Sequence, residues 1–314
     1  MSAPKKTVPE EVLAARLRTA FSGLPDDLPL APVTFVGAGP GALDLLTVRA
    51  ARIIAAADLV IWAASLVSPE ILRLVGDDAT VHDSSQLALE EICELYLAAA
   101  REGKSVVRLH SGDTSLYSAI GEQSAFLDAH EIRYAIVPGV SSFGAAAAAI
   151  GSELTVPGVS QSVVLTRQGS RTPMPAGESL EAWAAQGAAS GATLAVFLSA
   201  ARPRQLEEAL LAHYTSTTPC AVVYRVSWPD EEILFCTLVA LSDTLTAAGH
   251  RRQVLVLVGP GVKDHVQGCP DSRKKQENDG ENRREDEPRS RLYDAGFSHM
   301  FRKKRKEAGT GSEE

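Results

Sequence analysis

Short apolar runs alternate with helix-forming stretches between residues 33 and 137, and this alternation constrains the fold more than any other feature of the chain. Strands are predicted at residues 33–36, 59–62, 105–109 and 134–137. Helices are predicted from residue 43, near residues 69–75, over residues 88–100 and near residues 119–129. Strands joined by helices form parallel sheets that are covered on both faces. The sequence therefore predicts an α/β fold with a largely parallel sheet.

A second block of strands follows a connection marked by proline and glycine at residues 154–158. Its strands are predicted at residues 162–165, 194–198, 221–224, 232–238 and 254–258. Residues 233–238 follow Trp228-Pro229-Asp230, so this strand is predicted to pair back as a hairpin and to make the second sheet mixed.

The length of 314 residues exceeds that of a usual single domain. We expect a leader, two α/β domains, a disordered charged insertion and a tail. These segments cover residues 1–31, 32–150, 151–263, 264–288 and 289–314, in that order.

Composition limits the class of protein. No run approaches the roughly 20 apolar residues of a membrane span, and no signal peptide opens the chain, so we expect a cytoplasmic protein without a membrane partner. The net charge is −8, and the basic run at residues 302–306 is interpreted as a solvated terminus rather than a nucleic-acid site. The cysteines are isolated in sequence, which predicts reduced thiols and no structural metal: Cys93, Cys220, Cys236 and Cys269.

The first predicted strand runs directly into a glycine turn, Gly37-Ala38-Gly39-Pro40-Gly41. This loop satisfies a loose dinucleotide fingerprint, which also demands an acid at the exit of the second strand. That exit carries no acid, because Asp58 enters the strand rather than leaving it. Pro40 also lacks the backbone N–H that would help to cradle a pyrophosphate. A nicotinamide or flavin site is therefore disfavoured.

Two further strand exits are small and rich in hydroxyl groups. One is His110-Ser111-Gly112-Asp113-Thr114-Ser115-Leu116-Tyr117 and the other is Pro138-Gly139-Val140-Ser141-Ser142. Each admits a plain structural interpretation, in which Asp113, Thr114 or Ser141 caps a helix. Three small exits in one sheet nevertheless favour a ligand across the carboxyl ends of the strands.

Together these motifs resemble the tetrapyrrole methylases, S-adenosylmethionine-dependent enzymes of cobalamin and sirohaem synthesis. The resemblance rests on the glycine turn, on Ala64-Ser65-Leu66-Val67, on the two hydroxyl-rich exits and on Trp228-Pro229-Asp230-Glu231. Within that family the chain most resembles the precorrin-4 C11-methyltransferases. This narrower likeness rests on Ser65-Leu66-Val67, Leu165-Thr166-Arg167 with Arg171-Thr172-Pro173, and residues 224–231, and it is supported by the late segment 289–302.

The resemblance implies two α/β domains with an active-site cleft between them, and a homodimer. It implies that S-adenosylmethionine is held by backbone and small side chains, at Pro40, Ser111, Gly112, Asp113, Ser141, Ser142, Leu198 and Val226. A tetrapyrrole substrate would meet the glycine turn and its surroundings, at Gly37, Gly39, Gly41, Asp44, Ser65, Arg167, Arg171 and Trp228. The arginines suit the many carboxylates of such a substrate.

No catalytic base is identified. Family members commonly carry an acid where this chain has Ala42, and often one where it has Ala64. Asp44 survives nearby, although an acid in a first helical turn also has a structural role. Methyl transfer by in-line displacement depends chiefly on holding the methyl group and the accepting carbon at near-attack distance.

Two other functions stay open on the residues alone. One is a different methyltransferase of the same fold, which acts on another ring carbon, a protein or an RNA. The other is a binding module or a dinucleotide-dependent oxidoreductase. A serine or histidine nucleophile has no support, because the chain has no Gly-x-Ser-x-Gly motif.

Overall fold

The computed structural model describes residues 31–169 and 172–262. The predictions for the leader, the charged insertion, the tail and Arg171 lie outside these residues. The described chain forms two five-stranded sheets with helices, so the predicted α/β class is confirmed.

The first sheet is parallel throughout, with the strand order β3-β2-β4-β1-β5. Its strands are β1 (Val33–Gly37), β2 (Leu59–Trp62), β3 (Thr80–Asp83), β4 (Val106–His110) and β5 (Tyr134–Val137). Strand β3 was not predicted. It is an edge strand with mostly exposed residues and carries no apolar run.

Helices cover both faces of this sheet. Helix α1 (Val48–Ala55) and the 3₁₀ helix Pro69–Leu74 share a hydrophobic cluster on one face. Helices α2 (Leu89–Arg101) and α3 (Ile120–Ala129) cover the other. The predicted helix from residue 43 is interrupted: Leu43–Leu45 forms a short 3₁₀ helix, and α1 begins only after Thr47, whose side chain accepts a hydrogen bond from the Ala50 N–H.

The helices that follow β1 and β4 lie on opposite faces, although these two strands are neighbours. Because each crossover between parallel strands is right-handed, the two connections leave the sheet in opposite directions. Such a reversal opens a crevice at the carboxyl ends of the strands, where α/β sheets bind ligands. The first and second small strand exits lie at this point.

The second sheet has the order β6-β7-β10-β8-β9 and is mixed, as predicted. Its strands are β6 (Val163–Arg167), β7 (Thr193–Phe197), β8 (Pro219–Tyr224), β9 (Glu232–Thr237) and β10 (Val254–Val258). Strands β6 and β7 are parallel, and the other neighbours are antiparallel. The predicted pairing of residues 233–238 back on the preceding strand is confirmed by the β8–β9 ladder.

One face of the second sheet is covered by three helices that alternate with its strands in the sequence, α5 (Leu180–Ser190), α6 (Pro203–Leu211) and α7 (Leu241–Ala248). The other face packs against α4 (Ser142–Ala149), which directly follows the first sheet. The buried Ala145 and Ala146 of α4 have small side chains, which lets this helix approach the strands closely. The helix that leaves the first sheet thus packs against the second.

Among the helices in the described ranges, none is both long enough and apolar enough to cross a membrane.

Candidate active site

The carboxyl ends of β1, β4 and β5 meet through four glycines, Gly37, Gly39, Gly112 and Gly139, which we call the glycine junction. Gly39 donates its N–H to the Gly112 carbonyl oxygen at 3.1 Å, and Gly112 donates back to the Gly39 carbonyl at 2.8 Å. A Cβ on Gly37 would lie 2.5 Å from the Gly139 nitrogen, and one on Gly139 would overlap the Gly112 carbonyl oxygen. These glycines let three backbones touch, which explains the fingerprint-like spacing without a dinucleotide.

Asp113 joins the second strand exit to the third. One carboxylate oxygen accepts the Gly139 N–H at 2.7 Å, and the other accepts the Ser115 N–H at 2.9 Å and the Ser115 hydroxyl. Burial acts to raise the pKa of Asp113, but these hydrogen bonds outweigh it and lower the pKa below its usual value. Helix α3 begins at Ile120 after Ala119, so the interpretation of Asp113 or Thr114 as a helix cap is wrong.

Ser141 and Ser142 lie at the same junction. A Cβ on Gly112 would lie 3.6 Å from the Ser142 nitrogen and 3.8 Å from the Ser141 Cα. Ser141 occupies the N-cap position of α4, as predicted, but its side chain makes no capping hydrogen bond. The sequence therefore predicted the position of Ser141 at the start of the helix correctly. Its hydroxyl does not form the capping hydrogen bond that was offered as its structural role.

The turn after β1 also contacts the second half of the chain. Trp228 donates its indole N–H to the Pro40 carbonyl at 2.8 Å, and the Ala42 N–H donates to the Ser227 hydroxyl oxygen at 2.9 Å. A Cβ on Gly41 would overlap the Trp228 indole ring. Trp228 and Gly41, both predicted at the site, are thus in contact, whereas Ser227 was not predicted.

An apolar cavity of about 310 Å³ lies between the two halves. Its walls come from the first 3₁₀ helix, from α4 and from the segment after β8: Leu45, Val140, Gly144, Ala145, Ala148, Ala149, Val226, Ser227 and Glu231. The predicted cofactor residue Val226 is buried here. Asp44 precedes Leu45 and is exposed.

A second cavity, of about 270 Å³, is more polar and adjoins the end of β6. It is lined by Tyr117, Leu165, Thr166, Arg167, Met174, Pro175, Glu178 and Trp183. The Arg167 guanidinium donates to the carbonyl oxygens of Thr172 and Pro173, each at 2.9 Å. Arg167 therefore holds the segment that follows β6, in addition to facing the cavity.

Four residues around these cavities have a left-handed backbone although none is glycine. They are Tyr117, Leu198, Arg225 and Ser227, with φ of 56°, 53°, 44° and 67°. Such conformations cost of order 1–3 kcal/mol each and collect at functional sites. The Tyr117 ring lies 5.1 Å from the ring of Phe197, which is adjacent to Leu198, so this strain lies where the two halves meet.

Two predicted residues lie away from these contacts. Ser65 is exposed in the turn after β2, where its N–H donates to the Ser85 hydroxyl at 3.3 Å. Leu198, which directly follows β7, is 62% exposed. Neither is in contact with the glycine junction in the hydrogen bonds and packing described.

His110 ends β4 immediately before the junction and is 8% exposed. Burial, with a smaller contribution from the Arg108 charge, lowers its pKa to about 3. It is therefore neutral at physiological pH and buried, which makes it a poor candidate for a proton acceptor from a solvent-facing ligand.

The buried His110 predicts acid sensitivity. The unfolded chain binds a proton near pH 6.5 and the folded chain only near pH 3, so stability falls as the pH drops through this window. Between pH 7.5 and pH 5 the free energy of unfolding should fall by about 2 kcal/mol from this residue. Urea unfolding should show that loss in the wild type and not in His110→Gln. His213→Gln is the control, because His213 is exposed, and it should lose stability as the wild type does. If His110→Gln also lost about 2 kcal/mol, buried His110 would not be the source of the acid sensitivity.

Comparison with known proteins decides the family. The family model of tetrapyrrole (corrin/porphyrin) methylases matches residues 32–242. The chain belongs to the tetrapyrrole methylase family. Two curated relatives are a precorrin-4 C(11)-methyltransferase of Rhodococcus erythropolis and a cobalt-precorrin-4 C(11)-methyltransferase of Priestia megaterium. The first is 47% identical over 241 residues, covering 76% of this chain and 94% of the relative. The second is 38% identical over 269 residues, covering 85% and 96%.

Solved structures agree with this family. A cobalt precorrin-4 methyltransferase of cobalamin biosynthesis superposes with a TM-score of 0.70 at 38% identity, covering 74% of this chain and 95% of that one. A uroporphyrin-III C-methyltransferase from Thermus thermophilus, complexed with S-adenosyl homocysteine, gives a TM-score of 0.62 at 28% identity, covering 74% and 93%. The glycine junction and the tryptophan contact thus belong to a tetrapyrrole methylase.

Some of the contacts in this tetrapyrrole methylase were beyond sequence reasoning. The contacts from Ser227 to Ala42 and from Trp228 to Pro40 join residues separated by 185 and 188 positions. The only signal for Ser227 was that it precedes Trp228 in a motif already singled out. Gly139 stood inside a quoted motif, but only the structure shows what its missing side chain permits.

Proposed function

We propose that this chain transfers a methyl group from S-adenosylmethionine to carbon 11 of precorrin-4, or of its cobalt-containing form, in cobalamin biosynthesis. The observation that carries the proposal is the likeness to curated precorrin-4 C(11)-methyltransferases, at 44–47% identity over 72–76% of this chain. The glycine junction supports it, because five residues proposed for the cofactor, Ser111, Gly112, Asp113, Ser141 and Ser142, lie at or beside it.

The residues at this edge fit S-adenosylmethionine chemically. The ionised carboxylate of Asp113 suits the hydroxyl and ammonium groups of such a ligand. Ser111, Ser141 and Ser142 offer hydroxyl groups, and Gly112 lets the backbone approach closely. The apolar wall at Val226, which lines the first cavity, suits the flat face of the adenine ring. We assign the cofactor to these residues together with Pro40 and Leu198.

The tetrapyrrole is assigned to the side of the turn after β1, at Gly37, Gly39, Gly41, Asp44 and Ser65. Trp228, Arg167 and Arg171 complete this assignment. When bound, S-adenosylmethionine supplies an activated methyl group, so the protein's task is to hold the two ligands in line. The apolar wall of the first cavity offers few polar groups to hold water beside the ligands. We assign no residue as a base.

The test is binding followed by turnover. In calorimetry the wild-type protein is expected to bind S-adenosylhomocysteine and to give no heat with NAD. With S-adenosylmethionine and precorrin-4 it is expected to form a product heavier by one methyl group, with the label of a ¹³C-methyl donor on carbon 11. Absence of S-adenosylhomocysteine binding would refute the cofactor, and a label on another carbon would refute the position of methylation.

We further infer a two-domain homodimer that works in the cytoplasm. The dimer and the cleft between domains are supported by the family resemblance. The cytoplasmic location is supported by the sequence, in which the four cysteines are scattered and form no closely spaced pair. Sedimentation equilibrium at several protein concentrations would test the dimer, and a monomer throughout would refute it.

A further inference from the structure

We infer that Trp228 is a positioning residue, which together with Ser227 fixes the turn formed by residues 38–42 so that methyl donor and acceptor meet correctly. This inference rests on the proposed function. It adds a role for the segment after β8, whose side chains bond to backbone atoms of the turn after β1. The turn is held on two sides, and each side is anchored by a different element.

On its first side the turn is tied to the glycine junction. Gly39 and Gly112 exchange two backbone hydrogen bonds, and the Ala38 N–H donates to the His110 carbonyl at 2.7 Å. These bonds lie within the first half of the chain. They fix the beginning of the turn and leave its end, at Pro40, Gly41 and Ala42, to be held by something else.

On its second side the turn is held by the segment after β8. The Trp228 indole N–H and the Ser227 hydroxyl bond to the Pro40 carbonyl and the Ala42 N–H, which flank Gly41 on either side. The indole ring occupies the space that a Gly41 side chain would need. Gly41 is therefore glycine because a tryptophan packs against it.

Trp228 is itself held rigidly. The Arg225 guanidinium carbon lies 4.7 Å from the Trp228 ring centroid, a distance at which a cation is attracted to the ring face. Arg225 donates to Asp230 at 2.7 Å and to Gln253 at 2.6 Å, so its position is set by two partners. The Ser227 N–H donates to the Glu231 carboxylate at 2.6 Å. The strained backbone of Arg225 and Ser227 is held in place by this set of bonds.

These contacts indicate that the N–H of Trp228 positions the turn and does not bind a ligand. The single N–H of the indole is already used on Pro40, so Trp228 has no donor to offer a ligand and would meet the tetrapyrrole only with its ring, which Trp228→Phe retains as an aromatic ring. The Asp113 carboxylate, which joins the strand exits, makes its described bonds to Ser115 and Gly139 and none to this segment. Loosening the turn should therefore disturb the alignment of the two ligands more than the affinity for the cofactor.

The test variant is Trp228→Phe, which keeps an aromatic ring and removes the N–H. We expect kcat to fall about 10- to 100-fold, since a displacement of about 1 Å has effects of that order. The Kd for S-adenosylhomocysteine and the KM for precorrin-4 should stay within about threefold of the wild type. Amide hydrogen exchange of peptides that cover residues 38–46 should become faster, because the end of the turn loses an anchor.

Ser227→Ala should change the same quantities in the same direction. Because both side chains hold one turn, the double variant should lose less kcat than the product of the two single effects. Tyr96→Phe is the matched control, since it also removes a buried donor, the hydroxyl that bonds to Gln123, and Tyr96 lies on the other face of the first sheet, away from the cluster that contains Ala38. It should lower Tm and leave kcat and the exchange of residues 38–46 as in the wild type.

Two results would overturn the inference. One is an unchanged kcat or an unchanged exchange rate of the turn in Trp228→Phe. The other is a parallel loss of Tm, cofactor affinity, KM and kcat, which would give Trp228 a merely structural role. A wild-type protein without turnover would instead refute the proposed function, and hydrogen exchange would still report whether Trp228 anchors the turn.

Discussion

Gly139→Ala is expected to lower the free energy of unfolding by about 3 kcal/mol and to abolish methyl transfer. The added Cβ would overlap the Gly112 carbonyl oxygen and lie 2.8 Å from the Gly37 Cα. Both neighbours are backbone, so neither can rotate away as a side chain would. The strand exits of β1, β4 and β5 would have to separate, and Asp113 would lose its bond to the Gly139 N–H. Urea unfolding and a turnover assay measure the two effects.

Gly121→Ala is the matched control for that variant. Gly121 lies inside α3, and a Cβ there would meet nothing within 4 Å. Alanine is favoured over glycine in helices, and because Gly121 is in the first turn the gain should be below the interior value, so the free energy of unfolding should rise by at most about 0.5 kcal/mol and turnover should be unchanged. If Gly139→Ala were as stable as the wild type to within about 0.5 kcal/mol, the junction would not have the tight packing described.

Asp113→Asn is expected to weaken the binding of S-adenosylhomocysteine by about 10- to 100-fold, which corresponds to the loss of one hydrogen bond to a charged group. The carboxylate accepts from Gly139 with one oxygen and from Ser115 with the other. An amide replaces one acceptor by an NH₂ donor, so one of these partners would face a donor instead. Isothermal calorimetry at pH 7.5 measures the change.

The depressed pKa of Asp113 sets the direction in which its contribution to folding stability changes with pH. Its charged form is favoured in the folded protein, so its contribution is present at neutral pH and is lost as the pH falls through the folded pKa. Asp58→Asn is the matched control, because Asp58 lies at the amino ends of the strands of the same sheet, away from the junction. Its carboxylate accepts the N–H and the hydroxyl of Ser105 at 2.8 and 2.7 Å. If Asp58→Asn weakened binding equally, Asp113 would have no special place in the site.

Hydrophobic pattern sufficed for those strands that are buried. Strands β1 and β10 are fully buried apolar runs, and runs of this kind are visible in a sequence. Strand β3 was not predicted, because it lies exposed at the edge of the sheet and its sequence, Thr80-Val81-His82-Asp83, contains no apolar run. The start of α1 was placed too early because Thr47 was not recognised as its N-cap, the residue that sets where the helix begins.

Some residues of the candidate site could be predicted from local sequence, and others depend on how the two sheets pack. The small residues at the strand exits are local signals, and parallel topology brings them to one edge. Contacts such as that between Trp228 and Pro40 depend on how the two sheets pack, and no local pattern carries that information. The resemblance supplied Trp228 as a candidate, but not the partner that uses its N–H. For Arg167 it supplied a ligand-binding role, whereas the guanidinium also holds the segment after β6.

The place of β10 in the second sheet has a consequence for how the protein is made. Although β10 is the last strand of the described residues, it lies in the middle of the sheet, between β7 and β8. During synthesis the β6–β7 pair and the β8–β9 hairpin leave the ribosome with their inner edges unpaired, and they cannot join until residues 254–258 arrive. Folding of this half must therefore wait for nearly all of its sequence, and a nascent chain stalled before Val254 exposes two apolar strand edges to aggregation.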